Sequence, residues 1–149
     1  LLKGRSIDGI AAASLYIAIR EQHWPVTLAD VAASSPIEES EIRHYLGVLQ
    51  VELGVGLEPP TPQDFLQRVV SNLSVSMDVE RRAGDILDRV VESELHVGKK
   101  PIAVTATAVY AAVVQMNGEL SQSDIANVID VSAVTVSRRY QDIKSVLQN

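Results

Sequence analysis

Apolar residues recur along this chain at intervals of three and four and seldom alternate strictly, so the pattern predicts helices throughout. Val79, Ala83, Ile86, Leu87, Val90 and Val91 fall on one face of a helix, with Ser76 placed as its N-cap. Ahead of it, Thr61-Pro62-x-Asp64 supplies a cap, a proline at the first helical position and an acid two residues later, opening a helix that should run to about Asn72. The stretch from about Lys100 to Gln115 is apolar on every side, which suits the buried centre of a bundle. Ser121-x-x-Asp124 opens a short helix, Thr27-x-x-Asp30 repeats that device, and Ser132 opens a helix running to the end.

Displacing the sequence by 94 positions brings two such patterns into phase without a gap. GRSIDGIAAASLYIAI lies over GKKPIAVTATAVYAAV, with Gly4 on Gly98, Ala12 on Ala106 and Tyr16 on Tyr110. VTLADVA lies over LSQSDIA, and beyond it Ile37 meets Val131, Ile42 meets Val136, Leu49 meets Ile143 and Leu53 meets Leu147. The shared apolar phase and the shared caps predict two similar helical folds in tandem. GVGLEPPT, with two glycines and two prolines, separates them, giving domains 1–58 and 59–149. The second copy has two helices ahead of its central one and therefore five in all. The first aligns only from its third element onward, so it is read as a partial repeat lacking its first two helices. The chain opens on Leu1, which fits a piece of a longer protein.

Composition narrows the function. Hydrophobic residues make up 46% of the 149 positions and charged ones 21%, a globular balance. There is no cysteine, which excludes disulfides, thiolate zinc sites and thiol nucleophiles. This fits a cytoplasmic location. The longest uncharged run, Pro101 to Asn117, is short for a membrane span, and no signal peptide is evident. The net charge of −6 argues against bulk electrostatic binding of nucleic acid but leaves room for a local basic surface.

That surface is sought in SQSDIANVIDVSAVTVSRRY. A short capped helix carries the small Ala126, a tight turn follows at Ile129-Asp130, and Ser132 caps a longer helix with Val136 facing inward. This is the helix-turn-helix pattern, with Asp130 standing where glycine usually takes a left-handed conformation. Residues in the first turns of the second helix would reach base edges: Ala133, Val134, Thr135, Ser137 and Arg138. Val134 and the Thr135 methyl suit a thymine methyl, and Arg138 suits guanine or a phosphate. Arg139 and Lys144 lie further along, where only backbone is within reach. The bland alternative is two packed helices with solvated arginines. In the first copy the turn position is Pro36 and the following helix opens EESE, three acids in four residues that phosphates would repel. That copy should not read DNA.

Taken in order, these stretches resemble the transcription factor IIB family, in particular its archaeal branch. GRSIDGIAAASLYIAIR is similar to the third helix of the family's first cyclin-like repeat and LGVGLEPPTPQDFLQRV to the inter-repeat junction. VGKKPIAVTATAVYAA is similar to the third helix of the second repeat and ANVIDVSAVTVSRRYQDI to the closing helix-turn-helix. The resemblance implies an all-α pair of cyclin-like repeats that docks on the complex of TATA-binding protein with promoter DNA, reads bases upstream of the TATA box and helps recruit RNA polymerase. Val134 matches a base-contacting valine of the family, whereas Ser137 stands where an arginine is common, a departure that Arg138 could offset. Base readout is thus assigned to Val134, Thr135, Ser137 and Arg138, and phosphate contact to Lys99, Lys100, Ser132 and Arg139. Glu38, Glu39 and Glu41 occupy a region where the family carries basic residues facing TATA-binding protein. With two helices absent, Ile10, Leu15, Tyr16 and Ile19 should be partly exposed, and self-association is expected.

No catalytic constellation, metal site or cofactor motif is found, and the chain is read as a non-enzyme. His23, His44 and His96 lie in different elements, and the GVG of Gly54–Gly56 lacks the third glycine of a dinucleotide fingerprint. Trp24, before Pro25, is expected to cover the core at a helix–helix turn. Two other readings stand beside the promoter factor. One is a cyclin-like protein-interaction module without base contact. The other is a stand-alone helix-turn-helix repressor, against which the internal duplication argues.

Overall fold

The computed structural model describes residues 5–149, so Gly4 of the repeat alignment lies outside the described residues. Among them the regular structure is helical: α1 (Ile7–Glu21), α2 (Leu28–Ala33), α3 (Glu39–Leu53), a 3₁₀ turn (Pro62–Phe65), α4 (Leu66–Leu73), α5 (Met77–Glu92), α6 (Pro101–Gln115), α7 (Gln122–Val128) and α8 (Ala133–Leu147). The helix read from Thr61 onward is not uniform. Its first turn winds as a 3₁₀ turn under the Thr61–Asp64 capping box, a common way for a helix to start. The chain divides between Pro60 and Thr61 into two compact units, two residues beyond the boundary read from the linker.

The bounds of α1 and α3, each advanced by 94, are the bounds of α6 and α8. The caps repeat as well. Thr27 and Ser121 each accept a hydrogen bond from an N3 backbone N–H, while the Asp30 and Asp124 carboxylates accept one from the backbone N–H of the cap. α1 and α6 end alike, on a left-handed residue at matched positions, His23 (φ 58°) and Asn117 (φ 56°). There the N–H of Trp24 reaches the carbonyl of Ile19 and that of Gly118 the carbonyl of Val113, a Schellman closure in both copies. At 118 a Cβ would approach Val113 Cγ1 to 2.8 Å, so a side chain there would have to displace Val113, whereas the first copy carries Trp24 at the matched position.

In the first unit α1 packs on α2 and α3 around Ile10, Ala13, Tyr16, Ile17, Val31, Ile42 and Leu49. Two expectations are corrected here. Ile10 and Tyr16 are each only 8% exposed, since they face α2 and α3; Leu15 is exposed and Ile19 half-buried. Trp24 does not cover the core but is 65% exposed. The tight turn bonding Val26 N–H to the Trp24 carbonyl accompanies that placement.

In the second unit α6 is enclosed by the 3₁₀ turn, α4, α5, α7 and α8. Ten of its 15 residues are buried, from Ala103 to Val113, which explains its lack of a polar face. The Thr105 hydroxyl, fully buried, is within bonding distance of the Pro62 carbonyl (2.6 Å) and the Pro101 carbonyl (2.9 Å), tying the 3₁₀ turn to α6. Thr105, Ala108, Val109 and Ala112 are fully buried, whereas Ala11, Ser14, Leu15 and Ala18, their counterparts on α1, are exposed.

Candidate nucleic-acid interface

α7 and α8 form the helix-turn-helix. Ile125, Ile129, Val136 and Ile143 are buried at its core, and Tyr140 meets Tyr110 of α6 edge to face at 5.0 Å. The Arg89 guanidinium of α5 donates to the Val146 carbonyl at 2.7 Å and fixes the far end of α8. The Asp124 carboxyl is held below its ordinary pKa, chiefly by the Ser121 hydroxyl and then by the Ser121 backbone N–H. The turn differs from expectation. Asp130 does not take a positive φ; instead Ile129 is extended (φ −108°, ψ 131°) and Val131 N–H bonds to the Ile129 carbonyl at 2.6 Å. This three-residue turn is of the inverse γ kind, which suits any L-residue at its centre, so Asp130 does not need glycine's freedom; in the first copy the Ile37 N–H bonds to the Ser35 hydroxyl instead.

At the start of α8 the Ser132 hydroxyl accepts the Thr135 N–H at 3.1 Å and lies 2.9 Å from the Thr135 hydroxyl. Beside it the chain enters α6 through Gly98, whose φ of 71° glycine alone adopts without strain. Between these two helix starts lies a groove of about 410 Å³. Lys99, Lys100, Ser132, Thr135, Arg138 and Arg139 line it, together with Gly98, Ala103, Asp130 and Val131. Six of the eight residues singled out in the sequence thus share one groove. Of the other two, Val134 is 76% exposed on the first turn of α8 and Ser137 is half-buried.

Four cations against one carboxylate give the groove the positive charge that the whole molecule lacks. α6 and α8 both begin at it, so two sets of helix N–H groups and two positive helix-dipole ends add to that charge. Lys100, the N-cap of α6, makes no side-chain capping bond. The first unit differs at the matched corner among the described residues. Tyr45 stands where the second unit has Arg139, and its phenol oxygen accepts the Ser6 N–H at 2.8 Å. Its ring lies against Gly9, the counterpart of Ala103. Glu38 replaces the capping Ser132 and makes no side-chain cap, and Glu39 pairs with Arg43.

The two copies are therefore the same framework with different corners: in one the Tyr45 ring packs on Gly9, and the other presents four cations. The comparisons decide the ancestry of that framework. A family model, Transcription factor TFIIB repeat, matches residues 1–51 and again 57–146. The chain belongs to the transcription factor IIB family. It is 37% identical over 143 residues to Transcription initiation factor IIB 4 of Halobacterium salinarum, covering 96% of this chain and 44% of that protein. It is 36% identical over 147 residues to Transcription initiation factor IIB of Methanothrix thermoacetophila, covering 99% and 44%. With the protein of that name from Archaeoglobus fulgidus it shares 35% identity over 147 residues, covering 99% and 45%. The chain spans less than half the length of these relatives.

As tandem cyclin-like repeats of this family, the helices place the predicted cations in two classes. Arg138 and Lys100 are exposed and have no ion-pair partner among the described residues. Lys99 and Arg139 are largely covered and both reach Asp142: Lys99 Nζ is 3.3 Å and Arg139 Nη1 3.5 Å from the same Oδ2. Sequence reasoning missed Asp142. Its i,i+3 spacing from Arg139 was visible, but its approach to Lys99 depends on how α6 and α8 meet. No helix among the described residues is long and apolar enough to cross a membrane.

Proposed function

We propose that this chain is the promoter-binding core of a general transcription initiation factor, with residues 1–58 as a partial first cyclin-like repeat and 59–149 as the second. In this reading it docks on the complex of TATA-binding protein with promoter DNA and helps to bring RNA polymerase to the promoter. Val134, Thr135, Ser137 and Arg138 of α8 face base edges upstream of the TATA box. Lys100 and Ser132 contact phosphates, while Lys99 and Arg139, assigned to phosphates from the sequence, line the same groove with Asp142 as their present partner.

The observation that carries the reading is the basic groove between the starts of α6 and α8, in a chain whose net charge is −6. Bulk attraction to DNA is weak for such a chain, so binding must depend on local contacts and a partner. Val134 fits as a thymine-methyl contact because it is exposed at the tip of α8 for no packing reason. The exposed Leu15 of α1 is the surface through which copies of this chain would self-associate.

The test is fluorescence anisotropy of a labelled TATA duplex, titrated with the chain in the presence and absence of an archaeal TATA-binding protein, with the upstream bases varied. The expected result is binding that needs the partner and changes with the upstream bases. Binding to the partner that ignores the DNA would favour the protein-interaction module, which the acidic opening of α3 also suits.

A further inference from the structure

We infer that Asp142 is an internal counter-ion of the groove, withholding Lys99 and Arg139 from phosphate and so limiting how tightly the chain holds DNA of any sequence. This rests on the reading that the groove binds DNA.

Lys99 and Arg139 line the groove, but Asp142 does not; it sits behind them, in a small pocket with Val90, Leu95, Val104 and Ile143. One of its carboxylate oxygens serves both cations, at 3.3 and 3.5 Å. The Lys99 and Arg139 side chains are only 17% and 22% exposed, so solvent screens these pairs less than it screens an open surface pair. A phosphate entering the groove must compete with Asp142 for these two residues. Among the described residues no carboxylate pairs with Lys100 or Arg138, although Asp130 also lines the groove. The groove therefore has two free cations and two that are held.

Non-specific affinity follows the number of phosphates neutralised, while base contacts supply discrimination. Holding two of four cations back lowers the sequence-independent part and leaves Val134 and Arg138 untouched. Asp142 is thus a positioning residue that favours selectivity over strength. The first repeat gives the contrast: the matched residue is Val48, which cannot pair with a cation, and Tyr45 stands in place of Arg139.

The test measures the salt dependence of binding to the TATA duplex with its partner, and to an unrelated duplex, for the chain and three variants. Asp142→Asn is expected to steepen the slope of log K against log salt by about 0.9 per phosphate gained. It should also tighten binding to the unrelated duplex by up to about fivefold at low salt, narrowing the preference for the promoter. Lys100→Gln should flatten the slope of the unmodified chain by about 0.9, and Lys99→Gln should barely change it. In the Asp142→Asn background, Lys99→Gln should remove the gain.

The inference is overturned if Asp142→Asn weakens binding or leaves the slope unchanged, or if Lys99→Gln costs as much as Lys100→Gln in the unmodified chain. The last comparison holds even if Asp142→Asn fails to fold. An unmodified chain that binds neither duplex, with or without partner, would instead defeat the reading of the groove as a DNA site.

Discussion

Two arginines stand side by side on α8, and their neighbours give them different work. Arg138 is exposed and unpaired among the described residues, on the turn that follows Val134 and Thr135; Arg139 is held by Asp142. Arg138→Ala should therefore cost about 1–3 kcal/mol of promoter binding and relax the preference at one upstream base pair. Lys100→Ala should weaken all sequences alike and lower the salt slope by about one. Titrations of matched and mismatched duplexes at several salt concentrations separate the two effects. Within the protein, Thr105 offers an equally local test. Thr105→Val keeps the shape but leaves the buried Pro62 carbonyl without its donor, at a cost of about 1–3 kcal/mol. A lower urea midpoint with an unchanged m-value would report that loss.

Among elements, the two copies carry the argument because their helices coincide while their corners differ. Gly9 is glycine because the Tyr45 ring occupies the space of a Cβ. Gly9→Ala should push that ring aside, disturb its bond to the Ser6 N–H, and destabilise the first unit by about 1–3 kcal/mol. Gly47→Ala on α3 meets nothing within 4 Å and should gain about 0.5–1 kcal/mol from helix propensity. Opposite shifts of the unfolding midpoint would check both. Much of this level was legible in the sequence. Caps such as Thr27-x-x-Asp30 are local, and an apolar phase repeated at a spacing of 94 leaves the helices little choice of position. What was not legible depended on neighbours distant in the chain. Burial of Ile10 and Tyr16 depends on α2 and α3, and exposure of Trp24 on how its turn closes. The backbone at Asp130 follows from an extended Ile129 that no single residue type announces.

For the molecule as a whole, charge is the organising quantity. An acidic chain gains little from bulk attraction to DNA, and four of its 13 Lys and Arg residues gather where two helices of the second unit begin. The candidate residues were found from sequence because a helix-turn-helix fixes which turn of α8 is presented. That Ser132, Thr135, Arg138 and Arg139 share a groove with Lys99 and Lys100, and that a carboxylate restrains half of its cations, needed the fold. The family gives the framework and does not by itself say which repeat touches DNA, so the central claim is the functional asymmetry of the two copies. Its most direct test is photo-cross-linking in the complex with TATA-binding protein and a labelled TATA duplex, using p-benzoylphenylalanine at Val134 or at Ser40, the matched position of the first repeat. The account predicts a cross-link to DNA upstream of the TATA box from position 134 and none from position 40. A DNA cross-link from position 40, or cross-links from 134 only to protein, would contradict it.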